Sequence, residues 1–376
     1  MPLGIVALAA ASPLLLRTSA VAFLIINAIY QLRRGKREIG VWGGKRADTI
    51  IGIGGGFLGG FAGLSRPLPI GRQARVAVGA AGMPWLWVVF TIAAAGCQVL
   101  RNAMQSELTS TLGTVGATHV RFLFGLPFAL LFLAAVLITT GFPLPRATPG
   151  MLGWIVTAAL AQFAATALML AAMQHRSFVV ATAYAKTEPV QVAMFGSAFL
   201  GDGVSPVSAL AILIATAGVL IVSSRTAQHP FSWKPAALGI GSGALFAVAA
   251  IGYRGGIRAL ECPNFVVAAT ATLVLGLVIQ TAVLSAYLII ADRPALMAIM
   301  RAWRPSLIAG LVGAFASQMW FVAFALETAA KVRTLGLIEI LFAQVLSRNL
   351  FKQSIASREV VGIFLIALGV VLLLNA

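Results

Sequence analysis

Two glutamates stand in stretches that are otherwise strongly apolar. Glu188 occurs in "AKTEPVQVAMFG" and Glu339 occurs in "GLIEILFAQV". A charge at the centre of a bilayer costs about 2.5–3.5 kcal/mol on insertion scales, so each carboxylate should face a cavity or a partner. Either carboxylate could bind a substrate or exchange a proton. A purely structural ion pair is the alternative, and we favour the substrate or proton site.

Two basic side chains could take part in such a site. Lys186 lies two positions before Glu188, and residues two apart on a helix point away from each other, so these two should not pair. Lys186 could bind substrate or neutralise a carboxylate from elsewhere. Arg121 could hold an anionic substrate through its planar guanidinium. Alternatively, its long side chain could snorkel to the membrane interface.

Several glutamines also lie at membrane depth, where hydrogen bonding between helices is their usual role. Gln191 and Gln344 come within a turn or so of the two glutamates, so we predict that they line the same cavity. The predicted substrate- or ion-binding residues are therefore Glu188, Glu339, Lys186, Arg121, Gln191, Gln344 and Gln318.

The sequence carries no pattern typical of an enzyme or a metal protein. Its two cysteines lie in or beside apolar segments, and its three histidines have no ligand spacing. The stretch "GGGFLG" matches a dinucleotide-binding fingerprint in form only, because no acidic residue follows it at the distance that such a site needs. We therefore predict no catalytic residue, no cofactor, no metal and no enzymatic activity.

The composition places the chain in a membrane. Of its 376 residues, 60% are hydrophobic and 10% are charged, and the mean hydropathy is +0.97. Soluble domains carry about 25% charged residues. The net charge of +17 comes from basic residues in short loops, which is typical of loops facing anionic lipid rather than of a nucleic-acid surface. We predict a multi-pass protein of the inner (plasma) membrane, with the bilayer and no nucleic acid as partner.

Ten apolar stretches are long enough to cross a bilayer as helices. A helix satisfies its own backbone hydrogen bonds in lipid, so the predicted fold class is all-α and polytopic. Basic residues such as Arg101, Arg254, Lys331 and Arg333 are assigned to the two membrane faces, at or near the span ends. The predicted spans are 85–102, 119–141, 151–173, 177–199, 206–224, 235–254, 264–291, 306–326, 333–351 and 358–375.

The second half of this region repeats the first after a shift of 151 positions. The shift superposes Glu188 on Glu339, Ile212 on Ile363, Gly218 on Gly369 and Val219 on Val370. Each repeat holds five predicted spans, and an odd number inverts the second copy in the membrane. Inverted repeats surround a midplane site in secondary transporters. We predict repeats at 83–228 and 229–376, with the two glutamate-bearing spans facing each other across a central cavity.

The two glutamate-bearing spans differ in the residue that follows the glutamate. Pro189 follows Glu188 and removes a backbone donor, so the helix should loosen near Lys186. Ile340 follows Glu339, so that helix should continue unbroken. We therefore expect Glu188 to matter more for transport and Glu339 to complete an interhelical pair.

Two stretches carry a family pattern: "RFLFGLPFALLFLA", which begins at Arg121, and "EPVQVAMFGSAFLGDGVSPVSALAILIATAGVLIV", which begins at Glu188. Through them, residues 84–376 resemble the EamA family of the drug/metabolite transporter superfamily. The matching positions are Pro189, Val190, Gly201, Asp202 and Gly218; the second repeat departs, with Ile340 for the proline and Lys352-Gln353 for the Gly-acid turn. The resemblance implies a secondary transporter that moves a small metabolite, by export or uptake, through alternating access. Protons are a further expected partner, and a homodimer is one option for its assembly.

The first 82 residues differ from the rest. The glycine-rich "GGGFLGGFAGLS" makes them similar to part of a sulfite-exporter-like (TauE/SafE) permease, although Arg66 stands where that family has a small residue. We interpret 1–82 as a truncated permease-like membrane segment of about two spans followed by a seam. Two other hypotheses stay open: a gene fusion without transport activity, and an anion or sulfite-type permease, against which the incomplete helix set argues.

Overall fold

A computed structural model of the chain describes residues 85–175, 184–223, 233–343 and 357–376. The residues described form α-helices and no β-strand. The helices are α1 (Leu86–Leu123), α2 (Leu126–Thr140), α3 (Pro149–His175), α4 (Glu188–Phe195), α5 (Pro206–Ser223), α6 (Trp233–Ala259), α7 (Phe265–Ala291), α8 (Arg293–Arg301), α9 (Trp303–Leu326), α10 (Ala329–Gly336) and α11 (Ser357–Leu374). A π-helical turn, Gly196–Leu200, extends α4.

Length and apolar character identify the segments that can cross a membrane. Among the described residues, five helical segments are long and apolar enough to do so: Val115–Thr140, Pro149–Met169, Trp233–Ala259, Phe265–Ala291 and Trp303–Leu326. Two further apolar helical segments, Leu86–Asn102 and Pro206–Val222, are shorter. The chain is therefore an all-α, polytopic membrane protein, as its composition predicts. The predicted permease-like segment, 1–82, lies outside the described residues.

Helix α1 begins where the first span was predicted but runs past its expected end. The expected connection between 102 and 119 is helical. No proline occurs between Pro84 and Pro127, so nothing in the local sequence forces the helix to stop. The backbone is interrupted at Gly113 instead, where φ is 68° and ψ is 174°, a conformation that glycine adopts readily. Arg101 consequently lies well inside a helix and not at its end.

Both glutamate-bearing helices are interrupted immediately before the glutamate. Turns at 186–187 and 337–338 precede Glu188 and Glu339. The break that Pro189 predicts is confirmed, whereas the prediction of an unbroken helix at Glu339 is wrong. Hydrogen bonds from N–H to the carbonyl three residues back recur after 151 positions: Thr187 to Tyr184 corresponds to Ile338 to Leu335, and Val190 to Thr187 corresponds to Leu341 to Ile338.

The second break coincides with a tertiary contact that the local sequence does not show. Gly336 ends α10, and glycine is a weak helix former. The indole ring of Trp320, on α9, lies so close to Gly336 that a β-carbon there would overlap the ring. We infer that Gly336 and the packed indole of Trp320 interrupt the helix before Glu339, as Pro189 interrupts the helix at Glu188 in the first repeat.

The packing of α5 on α11 also follows the internal repeat. A methyl group at Gly218 would lie 2.6 Å from the carbonyl oxygen of Gly362, and one at Gly369 would lie 2.7 Å from that of Ala211. The shift of 151 converts Gly218 into Gly369 and Ala211 into Gly362, so the two contacts exchange partners. A two-fold axis between the halves produces such an exchange. In the same way α3 packs on α6, and α9 packs on α1.

We expect Gly218→Ala to destabilise the protein by about 1–3 kcal/mol, since the added methyl group meets backbone atoms that cannot rotate away. Gly153→Ala is the matched control, because a methyl group there has no neighbour within 4 Å. Thermal unfolding of the purified protein in detergent measures both. Equal melting temperatures for the two variants would contradict this close approach of α5 and α11.

An ion-pair cluster ties the loop after α4 to the ends of two long helices. Arg254 Nε donates to Asp202 at 3.0 Å, and Arg258 Nη1 donates to it at 3.3 Å. Arg254 Nη1 also donates to the carbonyls of Phe324 and Glu327. We call Asp202, Arg254 and Arg258 the Asp202 latch. From the sequence Arg254 was assigned to a membrane face, at the end of a predicted span, but it lies within α6, and its side chain is 11% exposed.

Candidate functional site

The two breaks meet at one small central cavity. Glu188 and Glu339, both buried, line it from opposite halves of the chain. Trp320 and Arg333 complete much of its wall. Its volume is about 10 Å³, which is at the lower limit for a single water molecule. A cavity of this volume has no room for a molecule larger than water.

Each glutamate forms an ion pair with a cation from the other half. Arg333 Nε lies 2.7 Å from Glu188 Oε1, and Lys186 Nζ pairs with Glu339 Oε1. The two carboxylates therefore face each other across the cavity and not the lipid, as the repeat predicts. Lys186 forms its ion pair with Glu339 rather than with Glu188, its neighbour in sequence. Both pairs join the first repeat to the second.

The environments of the two carboxylates differ. Glu339 also accepts a hydrogen bond from Gln98 Nε2 at 2.5 Å, and Gln98 Oε1 accepts one from Trp320 Nε1 at 2.9 Å. Glu188 Oε1 and Arg333 Nε are close enough for an ion pair, but the N–H is not directed at the oxygen, so no hydrogen bond forms. Arg333 instead stacks over the ring of Trp320, 5.1 Å from its centroid. Glu188 is therefore held by charge, and Glu339 by charge and hydrogen bonds.

Sequence reasoning missed three residues of this region: Gln98, Arg101 and Arg333. Arg101 and Arg333 were assigned to span ends at the membrane faces, but Arg101 is 6% exposed within α1 and Arg333 lines the cavity. Arg101 donates from Nε and Nη2 to Asn102, and its Nη1 has no hydrogen-bond partner. The spacing of Gln98 and Arg101, about one helical turn, was a signal for a shared face that could have been used.

Arg121 lies beside Arg101. A methyl group at Gly313, on α9, would lie 3.2 Å from Cδ of Arg101 and 3.8 Å from Cγ of Arg121, so both stems pack over this glycine. Arg121 Nε is buried without a hydrogen-bond partner, and the guanidinium lies 5.3 Å from the centroid of Phe122. The Nε atom of Arg121 is thus buried, whereas the residue as a whole is half-buried.

Two of the predicted amides, Gln191 and Gln318, lie outside the cavity wall. Gln191 donates to the carbonyl of Ile240 at 3.3 Å, and Gln318 donates to Thr270 at 2.7 Å. Both therefore join helices, and neither lines the cavity described above. Gln344 lies outside the described residues. The hydrogen bonds expected between other intramembrane amides are present, since Gln280 donates to both Gln162 and Tyr253.

Comparisons with known proteins agree with this class of membrane protein. A family model described as "EamA-like transporter family" matches residues 85–224, which extend from α1 to α5. A solved structure titled "Crystal structure of protein" superposes with a TM-score of 0.60 at 14% identity, covering 78% of this chain and 95% of that chain. At this identity the likeness concerns the fold alone. No curated protein gives a significant match.

The matched domain supports the predicted relationship to the drug/metabolite transporter superfamily. It points to a membrane transporter rather than an enzyme. The resemblance of 1–82 to a sulfite-exporter-like permease has no support in these comparisons.

Proposed function

We propose that the protein is a secondary transporter of a small metabolite that works by alternating access in the inner (plasma) membrane. One observation carries the proposal: two interrupted helices, related by the 151-residue shift, bring Glu188 and Glu339 together at a central cavity. Interrupted helices at the interface between repeats are where secondary transporters bind substrates and coupling ions. Both halves of this site belong to one chain, so transport does not require a homodimer.

The crossed ion pairs supply a way to couple opening to substrate. Glu188–Arg333 and Lys186–Glu339 join the two halves, so they must lengthen or exchange partners when the cavity opens. A substrate that offers new partners to these charges lowers the free energy of the open states. A ligand shifts such an equilibrium only by its differential affinity for the two conformations.

Proton coupling is assigned in this proposal to Glu188. Its pair with Arg333 lacks a directed hydrogen bond, and stacking on Trp320 supports the arginine independently. Proton uptake by Glu188 removes the charge attraction to Arg333 and weakens the contact between the halves. Proton release restores that contact, which links proton movement to opening.

The test is flux in proteoliposomes that contain the full chain. Labelled amino acids, sugars, nucleosides or dicarboxylates are added as probes to vesicles with an imposed pH gradient. A pH-sensitive dye reports proton movement, and the label reports movement of the probe. We expect at least one class of probe to move faster than in protein-free vesicles, and Arg301→Gln, at an exposed position, should behave like the wild type. Folded, inserted protein that moves none of these probes would favour the alternative, in which the crossed pairs only hold the halves together.

A further inference from the structure

The centre of the molecule holds more positive than negative charge. Among the described residues, the cavity is lined by two cations, Lys186 and Arg333, and two carboxylates, Glu188 and Glu339. Two more cations, Arg101 and Arg121, lie behind this wall and are close enough to interact electrostatically with Arg333. Arg101 is repelled by Arg121 and Arg333, and Lys186 is repelled by Arg333 and Arg101. These side chains therefore act on one another as one cluster, with an excess of two positive charges when both glutamates are ionised.

The excess is located on α1. The ion pairs take up Lys186 and Arg333, which leaves Arg101 and Arg121 without a carboxylate partner among the described residues. Nη1 of Arg101 and Nε of Arg121 are buried and have no hydrogen-bond partner. A guanidinium keeps its charge in proteins, so it cannot escape this cost by losing a proton. Buried unpaired donors of a charged group are strongly unfavourable.

The geometry of the two arginines suits a single ligand. Their stems lie side by side over Gly313, whose lack of a side chain leaves room for both. A guanidinium offers parallel N–H donors that match the two oxygens of a carboxylate or phosphate group. A cationic ligand would add to the repulsion within the cluster, and a neutral one would leave it unchanged.

We propose that the substrate is a small organic anion bearing carboxylate or phosphate groups, and that Arg101 and Arg121 bind these groups. This inference rests on the proposed transport function and specifies its substrate class. The excess of two positive charges matches a dianion, such as a dicarboxylate or a phosphate monoester. Binding satisfies the free donors and neutralises the excess, so the anion supplies the differential affinity that opening requires.

The test uses the full chain in phosphatidylcholine nanodiscs, where the lipid contributes no net negative charge. Thermal unfolding is followed with succinate or inorganic phosphate, against chloride at equal ionic strength, and against the dication putrescine. A ligand that binds the folded state raises the melting temperature in a concentration-dependent manner. We expect succinate or phosphate to do so, and putrescine not to.

Variants assign the effect to the two arginines. Arg101→Gln and Arg121→Gln should weaken the apparent affinity for the stabilising anion at least tenfold, and the exposed Arg301→Gln should leave it unchanged. Arg101→Lys keeps the positive charge but loses the parallel N–H donors of the guanidinium, so it tests the site even if Arg101→Gln fails to fold. We expect a smaller loss of affinity for the anion in Arg101→Lys than in Arg101→Gln.

Several results would overturn the inference. One is that neither anion raises the melting temperature of the wild type. Another is that Arg301→Gln loses as much affinity for the anion as Arg101→Gln and Arg121→Gln do. A third is that phosphatidylglycerol, and neither soluble anion, stabilises the protein. Flux of a neutral or cationic compound without anion binding would refute the anion site while leaving the transport proposal intact. Anion binding without flux of any probe would refute the transport proposal while leaving the anion site intact.

Discussion

Glu188→Gln is expected to reduce flux to the background of protein-free vesicles while leaving the protein folded. The substitution keeps the shape of the side chain but removes its charge and its ability to exchange a proton. Arg333 loses an ion pair without a directed hydrogen bond and keeps its stacking on Trp320, 5.1 Å from the ring centroid. The fold therefore depends little on this carboxylate, whereas the proposed coupling depends on it directly.

Glu339→Gln provides the contrasting result. It should lower stability first, by about 3–5 kcal/mol, because Lys186 loses its ion-pair partner in a mostly buried position. The bond from Gln98, which itself bonds to Trp320, is disturbed as well. The asymmetry between the glutamates is thus expected from their contacts. It does not follow from an unbroken helix at Glu339, because that helix is interrupted too.

A matched assay decides between these expectations. Both variants are measured for flux per folded molecule in proteoliposomes and for melting temperature in detergent. A Glu188→Gln protein that unfolds early but transports normally, together with a stable and inactive Glu339→Gln protein, would reverse the assignment.

Asp202→Asn is expected to destabilise the protein by about 3–5 kcal/mol, the usual effect of removing one partner from a buried ion pair. The side chains of Asp202 and Arg254 are 9% and 11% exposed, so solvent compensates little for the lost charge. Because Arg254 also bonds to the carbonyls of Phe324 and Glu327, loosening it should release the end of α9 from the loop after α4.

The control for the Asp202 latch is Asp292→Asn. Asp292 is exposed and caps α8 by accepting from the N–H of Ala295 at 3.1 Å. Asparagine caps helices about as well as aspartate, so this variant should melt like the wild type. Parallel melting curves for the two variants would show that the latch contributes no more than an exposed charge. Hydrogen exchange at 324–327 gives an independent measure of the release.

The sequence by itself determined the class of protein and the two central residues. An apolar composition with few charges requires solvation by lipid, and in lipid the backbone must satisfy its own hydrogen bonds, which selects helices. Glu188 and Glu339 were identifiable because charge in an apolar stretch is costly and the same shift superposes both. The break before Glu188 was also predictable, since Pro189 acts on the backbone of its own helix.

Only the tertiary structure decided which charges meet and which helices are interrupted. The partner of Glu188 is 145 positions away and that of Glu339 is 153 positions away, at Arg333 and Lys186, and no local rule relates such positions. The break before Glu339 has no proline and coincides with the Trp320 ring packed on Gly336. Arg101 resembled a residue at the end of a span because the sequence does not reveal that α1 continues past 102. The physical reason is common to all three: spacing along the chain sets contacts within a helix, whereas contacts between helices depend on how the whole bundle packs.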